Sequence, residues 1–279
     1  MDRYLQTNGL QLHYLEHAGT GPALLFLPGL TANAHAFDGL VAAGLSPRYR
    51  VLAFDLRGRG LSDKPADGYT MADHARDVIG ALDALGLASV VCCGHSFGGL
   101  LTLYLAAHYP ARIAKLVVLD AAAGITNPQV REQLKPSLAR LGQRVASWEA
   151  YLDAVKRAPF FVDWWEPLIE NYYRADVEVF ADGSVQARAR PENIAAAMDG
   201  AEAEDWQVHL ARIAQPALLL HSLGPFGLPG APPLVEEKFV AATVAALADA
   251  QARAVPGNHL TMLFGAGAQR IVECINEFV

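Results

Sequence analysis

The stretch Val90-Val91-Cys92-Cys93-Gly94-His95-Ser96-Phe97-Gly98-Gly99 decides how the rest of the chain is read. Its first part is an apolar, valine-rich run, the composition of a strand buried on both faces. From Leu100 the pattern changes, and Leu100, Leu103, Tyr104 and Ala107 recur at the three- and four-residue spacing of a helix. Between the two lies Gly94-x-Ser96-x-Gly98, a serine flanked by glycines at a strand-to-helix junction. A turn this tight strains the serine backbone, and side chains two positions to either side would collide, so glycine stands at both. The serine hydroxyl is then presented at the carboxyl edge of a sheet, with a helix N-terminus behind it. Gly/Ser clusters are commonly plain loops. The strand before and the helix after distinguish this one.

Composition bounds what such a turn can serve. The chain has 279 residues, 52% of them hydrophobic, enough for one large α/β domain with an insertion or for two smaller domains. The formal net charge is −7 and no Lys/Arg-rich tract occurs, which argues against nucleic acid as a partner. Three cysteines, Cys92, Cys93 and Cys274, do not make a disulfide framework, and the first two sit inside an apolar run where buried thiols are common. The first residues lack an apolar core of signal-peptide length, and no apolar stretch approaches the roughly 18 residues of a membrane span. A cytoplasmic protein with no membrane partner is expected.

Upstream of the elbow, extended runs at 3–7 and 10–16 flank Asn8-Gly9, a hairpin signal. Residues 23–27 and 49–54 read as buried strands, with a helix over about 34–44 between them. The first of these strands runs into Pro28-Gly29-Leu30-Thr31, where Gly29 permits close backbone approach to a ligand. The second ends in Asp55-Leu56-Arg57-Gly58-Arg59-Gly60-Leu61-Ser62-Asp63, a tight connection in which Asp55 and Arg57 are placed to pair. Residues 71–86 read as an amphipathic helix stopped by Gly86.

Downstream, a strand over 113–119 ends at Asp120. Alternating strands and helices imply a mostly parallel sheet. From 124 to about 210 no convincing buried strand is read. This segment is a series of amphipathic helices broken by prolines, and it carries all four tryptophans, Trp148, Trp164, Trp165 and Trp206, with Phe160, Phe161, Tyr172 and Tyr173. It is a candidate helical lid, 124–210, inserted into a core formed by 1–123 and 211–279. Two or three of these aromatics are expected to face the site and line an apolar pocket, Trp148, Phe160, Phe161, Trp164 and Trp165 foremost, with His35 lining it too. Strand character resumes at 216–220, followed by a Gly/Pro-rich loop over 221–233, a helix over 234–249, a strand over 252–255 and a closing helix over 271–278.

A serine hydroxyl needs a base, and the base needs an orienting acid. Of nine histidines, His259 lies in a Gly-containing turn after the last strand, where a loop reaches the carboxyl edge of the sheet. His95 adjoins Ser96 and is read as structural, and His221 is a weaker candidate base. No Asp or Glu occurs from His221 through Val235, so the acid is assigned to Asp120 at the end of the strand that follows the elbow helix. The order Ser96, Asp120, His259 fits that assignment.

With Leu25-Phe26-Leu27-Pro28-Gly29, Asp55–Ser62, Gly94-His95-Ser96-Phe97-Gly98-Gly99 and Val255-Pro256-Gly257-Asn258-His259 in place, the chain resembles the α/β-hydrolase superfamily along essentially its whole length. The resemblance implies an eight-stranded, mostly parallel sheet flanked by helices, with a helical cap. It implies Ser96 as nucleophile, His259 as base, and the backbone N–H groups of Leu30 and Phe97 as an oxyanion hole. Two departures stand out. Many members have His-Gly where this chain has Pro28-Gly29, and most place the acid after the next-to-last strand, whereas some subfamilies place it where Asp120 lies. The serine argues against branches that use an aspartate nucleophile. The expected activity is hydrolysis of a small carboxylic ester or lactone through an acyl-enzyme. Amide or carbon–carbon bond hydrolysis by the same triad, a perhydrolase and a small-molecule receptor on the same fold are the alternatives. Arg131, Lys135 or Arg140 in the lid would be the residues to recognise an acidic substrate. No metal-ligand spacing or dinucleotide-binding glycine pattern stands out, so no metal or organic cofactor is expected.

Overall fold

A computed structural model of the chain describes residues 1–227 and 230–279. Eleven strands occur among them: β1 (Asp2–Thr7), β2 (Leu10–His17), β3 (Gly21–Leu27), β4 (Tyr49–Phe54), β5 (Val90–His95), β6 (Ile113–Leu119), β7 (Arg144–Val145), β8 (Val177–Val179), β9 (Val185–Ala187), β10 (Ala217–Ser222) and β11 (Ala250–Val255). Eight of them form one sheet in the order β1-β2-β4-β3-β5-β6-β10-β11. The first two pairings, β1 with β2 and β2 with β4, are antiparallel, and the rest are parallel. This is the α/β-hydrolase fold.

The sequence explains the arrangement locally. Asn8 and Gly9 both take positive φ, 48° and 74°, the conformation a two-residue hairpin turn requires and the reason Asn-Gly stands there. At the centre, β5 is buried along its whole length, as a strand covered on both faces must be. The helix that follows it, α1 (Phe97–His108), is apolar nearly all round, with Leu100, Leu101, Leu103 and Leu105 all buried. Such a helix lies in the interior rather than on it. It packs on β5 and β6 and fixes the depth at which Ser96 emerges.

Several elements differ from the sequence reading. The helix expected over 34–44 is a chain of short turns, Ala34–Phe37, Asp38–Leu40 and Val41–Leu45, broken where Gly44 takes φ 110°. The segment between β6 and β10 is not purely helical. β7, β9 and β8 pair there as a small antiparallel sheet, with Val177 and Val185 buried. Strands of two or three residues are too short to print an alternating pattern. The loop expected from His221 begins two residues later, because His221 and Ser222 complete β10, and residues 228 and 229 of that expected loop lie outside the described residues. The closing helix starts earlier, at Gly265. Among the described residues, no helix is long and apolar enough to cross a membrane.

Candidate active site

Ser96 follows β5 directly, at φ 54° and ψ −118°. Its N–H donates to Leu119 O at 2.9 Å, pinning the turn to β6. A Cβ at Gly94 would lie 2.0 Å from Gly98 O, and one at Gly98 would lie 2.0 Å from Leu27 O. Both contacts are with backbone, which cannot step aside, so the two glycines are a steric condition of the strained serine.

The chain then brings two distant side chains to that hydroxyl. His259 Nε2 lies 2.9 Å from Ser96 Oγ, and His259 Nδ1 lies 2.7 Å from Asp120 Oδ2. A carboxylate at Nδ1 selects the tautomer in which Nδ1–H donates to Asp120 and Nε2 accepts the serine proton. Asp120 is fully buried at φ 45°. Its N–H donates to Leu220 O at 2.7 Å. Its Oδ1 accepts the Ser222 N–H at 2.7 Å and its Oδ2 accepts the Ser222 hydroxyl at 3.2 Å. Those bonds hold the carboxylate independently of the histidine.

The turn carrying His259 is held from three sides. Asn258 Oδ1 accepts the N–H groups of Leu260 and Thr261, each at 3.0 Å, while its Nδ2 donates to Phe160 O at 2.8 Å. His95 Nε2–H donates to His259 O at 2.8 Å, and the two rings lie 4.6 Å apart. Burial, and then the neighbouring His259, push the His95 pKa down to about 3, so it is a neutral strut. Phe226 sets its ring edge-to-face with His259, centroids 5.4 Å apart.

Leu30 lies in the turn after β3, where Ala32 N–H closes onto Gly29 O at 3.1 Å. Neither the Leu30 nor the Phe97 N–H meets a protein acceptor among the described residues. A Cβ at Gly29 would sit 3.2 Å from His95 Nδ1, a tight contact, and 3.5 Å from Ser96 Cβ. The Asp55–Asp63 connection braces this turn, but not by the expected Asp55–Arg57 pair. Asp55 accepts the Ala34 and Leu61 N–H groups, both at 2.7 Å, and meets His13 Nδ1 at 2.8 Å. Arg57 grips Asp77 bidentately at 2.6 and 2.7 Å.

Ser96 and His259 open on a cavity of about 350 Å³. Its near wall is Gly29, Leu30 and His95, and the segment between β6 and β10 supplies the far wall, including Leu134, Val155, Phe160, Tyr172 and Tyr173. Arg140 and Tyr151 are among its polar lining residues. Arg140 Nε donates to Asp176 Oδ2 at 3.0 Å and the Tyr151 hydroxyl donates to the same oxygen at 2.7 Å. Burial opposes the Arg140 charge, but Asp176 outweighs it and holds the guanidinium protonated. Burial also pushes the Tyr151 and Tyr172 phenols up, so both remain donors.

Of the lid aromatics named from sequence, Phe160, Tyr172 and Tyr173 line this cavity. The others do not. His35 is turned to Asp38, 2.8 Å away. Trp148 is covered by the Arg174 guanidinium, 3.7 Å from its ring centroid. Trp164 and Trp165 pack on Phe161, and Phe161 borders a separate hollow of about 20 Å³. Arg131 is paired with Asp199 and Glu202, and Lys135 with Glu132, so neither points a free charge at the site. Tyr151, Phe226 and Asn258 were not singled out as site residues. Only Asn258, beside His259 in the Val255–His259 motif, left a signal in the sequence.

The family model described as the alpha/beta hydrolase fold matches residues 22–224, from β3 past the end of β10. The chain belongs to the α/β-hydrolase family. It is similar to 2-(acetamidomethylene)succinate hydrolase of Mesorhizobium japonicum, with 39% identity over 102 residues, 37% of this chain and 36% of that one. The matched part is thus little more than a third of that relative's length. Among solved structures, a crystal structure of E-2-(acetamidomethylene)succinate hydrolase superposes with a TM-score of 0.83 at 24% identity, covering 100% of this chain and 98% of that one. The enol-lactonase from Burkholderia xenovorans LB400 superposes with a TM-score of 0.73 at 26% identity over 99% of both chains.

Proposed function

We propose that this hydrolase cleaves a small carboxylic ester or lactone through an acyl-enzyme on Ser96. The observation that carries the reading is the continuous bond path from Asp120 through His259 to Ser96 Oγ, opening on an apolar cavity. In the first half-reaction His259 Nε2 takes the Ser96 proton as Oγ bonds to the substrate carbonyl carbon. The carbonyl electrons move onto oxygen, where the Leu30 and Phe97 N–H groups receive the charge, worth about 3–4 kcal/mol per donor in comparable sites. The intermediate collapses, the bond to the leaving oxygen breaks, and His259 returns the proton to that oxygen. Water then repeats the sequence. His259 takes its proton, the acyl–Ser96 bond breaks, Oγ recovers a proton, and the carboxylic acid leaves. Asp120 stays ionised throughout and holds the imidazolium. Residues 124–210 act as a cap that keeps bulk water from the cavity.

Arg140 and Tyr151, on the cavity wall, favour substrates that carry a polar group besides the scissile bond. A second reading, amide hydrolysis by the same residues, is supported by the similarity to a hydrolase named for an acetamido compound. The test is release of p-nitrophenol from acetate, butyrate and octanoate esters, with p-nitroacetanilide in parallel, by wild type, Ser96→Ala and Asp120→Asn. The ester reading expects turnover of at least one ester, lost in both variants. Turnover of the anilide alone moves the amide reading ahead. Folded wild type inactive on all four contradicts both.

A further inference from the structure

Arg59 is a charge beside the site that the triad does not use. Its side chain is completely buried, yet among the described residues no carboxylate reaches it. Asp55 is taken by His13 and backbone N–H groups, and Asp77 by Arg57. Arg59 instead holds backbone. Its Nε–H donates to Leu30 O at 2.9 Å and its Nη1–H donates to Arg57 O at 2.8 Å. Nη1 also lies 3.4 Å from His74 Nε2, while Nη2 is buried with no acceptor. The guanidinium carbon sits 5.0 Å from the centroid of the Phe97 ring.

One guanidinium therefore touches both residues whose N–H groups are assigned to the oxyanion. A buried cation without a counter-ion is costly, and an apolar side chain of the same length would serve packing better. Arg57, from the same turn, shows what a structural arginine looks like here, bidentate on Asp77. The groups facing Arg59 do not cancel its charge. Arg57 is a cation, Tyr69 is a neutral phenol whose pKa burial raises, and His74 is kept neutral by burial and by the two arginines.

We infer that Arg59 is a positioning residue for the Leu30/Phe97 oxyanion hole and that its uncompensated charge favours the tetrahedral intermediate over the neutral substrate. The inference rests on the serine-hydrolase reading above. Burial pulls the Arg59 pKa down to about 9, which leaves it protonated at neutral pH. Because the substrate carbonyl is neutral and the intermediate anionic, the charge acts on kcat and not on KM.

The experiment compares wild type, Arg59→Met and Arg59→Lys on the best p-nitrophenyl ester. It also measures inhibition by an aryl trifluoromethyl ketone, whose serine adduct carries an oxyanion. Wild-type turnover that Ser96→Ala abolishes establishes the underlying reading, and wild type without turnover or adduct sinks that reading whatever Arg59 does. Given an active wild type, Arg59→Met is expected to lose about 10- to 100-fold in kcat with KM within about twofold. Its inhibition constant for the ketone rises by the same factor, its melting temperature is kept or raised, and Arg59→Lys recovers part of the loss. An Arg59→Met enzyme whose kcat and ketone affinity stay within about twofold of wild type overturns the inference, as does a loss shared equally by KM. Should Arg59→Met fail to fold, Arg59→Lys decides: a lowered kcat at constant KM supports the positioning role, and an unchanged kcat refutes it.

Discussion

Replacing Asp120 by asparagine isolates the carboxylate's charge from its geometry. Asp120 sits at φ 45°, a left-handed conformation that asparagine tolerates as well as aspartate, so the backbone need not move. With Asn Oδ1 still accepting the Ser222 N–H, the amide nitrogen faces His259 Nδ1. That nitrogen donates, which forces Nδ1 to accept and places the imidazole proton on Nε2, pointing at Ser96 Oγ. The base then has no lone pair for the serine proton. The positive charge formed on His259 also loses a buried anion, an attraction of about 4 kcal/mol for charges about 4 Å apart at an effective dielectric of 20. Tautomer and charge together are expected to lower kcat by about 10⁴, or about 5.5 kcal/mol. Stability is expected to change by no more than about 1–2 kcal/mol, since the volume and the Ser222 N–H bond are kept. The assay is kcat for p-nitrophenyl butyrate at pH 7.5, with a circular-dichroism melt to show a folded variant. A folded Asp120→Asn enzyme within tenfold of wild type refutes the reasoning and moves the acid elsewhere.

Three further outcomes follow from the same geometry. Gly98→Ala puts a methyl 2.0 Å from Leu27 O and 2.7 Å from Pro28 O, so the elbow must open; loss of activity with about 4 kcal/mol or more of stability is expected from urea unfolding, and a stable, active variant contradicts the steric account. Asn258→Ala removes the acceptor for two N–H groups and the bond to Phe160 O; about 1–3 kcal/mol of stability and roughly tenfold in kcat should be lost, and unchanged values show the His259 turn to be self-supporting. His95 binds no proton in the folded state until about pH 3 but titrates near 6.5 when unfolded, so the unfolded chain gains the proton first. Stability is therefore lost as pH falls from 6.5 toward 3, by on the order of 5 kcal/mol in full, and His95→Gln should be less sensitive to acid over that window by urea titration. Equal acid sensitivity in the two proteins dismisses His95 as the cause.

The sheet was legible because buried parallel strands are written as uninterrupted apolar runs, and β4, β5 and β6 begin and end close to where those runs do. Ser96 was legible for a steric reason, the two glycines its turn cannot do without. Asp120 emerged by elimination, from a loop after β10 that offers no acid before Glu236. The cavity wall was not readable in the same way. Tryptophan at 148, 164 and 165 announces burial, but the direction of burial depends on how short helices cross, and these three turned to Arg174 and Phe161 instead. Phe226 lies in a Gly/Pro-rich loop with no periodicity from which an inward face could be read. Asp55 and Arg57 failed to pair although two residues apart, because His13 from the hairpin and Asp77 from the helix over Met71–Ala84 offer each a better-aligned partner.

The most direct test of the central claim is to quench wild type in acid during turnover of p-nitrophenyl acetate, then measure intact mass and map the peptides. The expected result is one acetyl group per chain, located on Ser96, with a burst of one equivalent of p-nitrophenol and neither signal in Ser96→Ala. Turnover with no acyl group on Ser96, or with the group on another side chain, would contradict it.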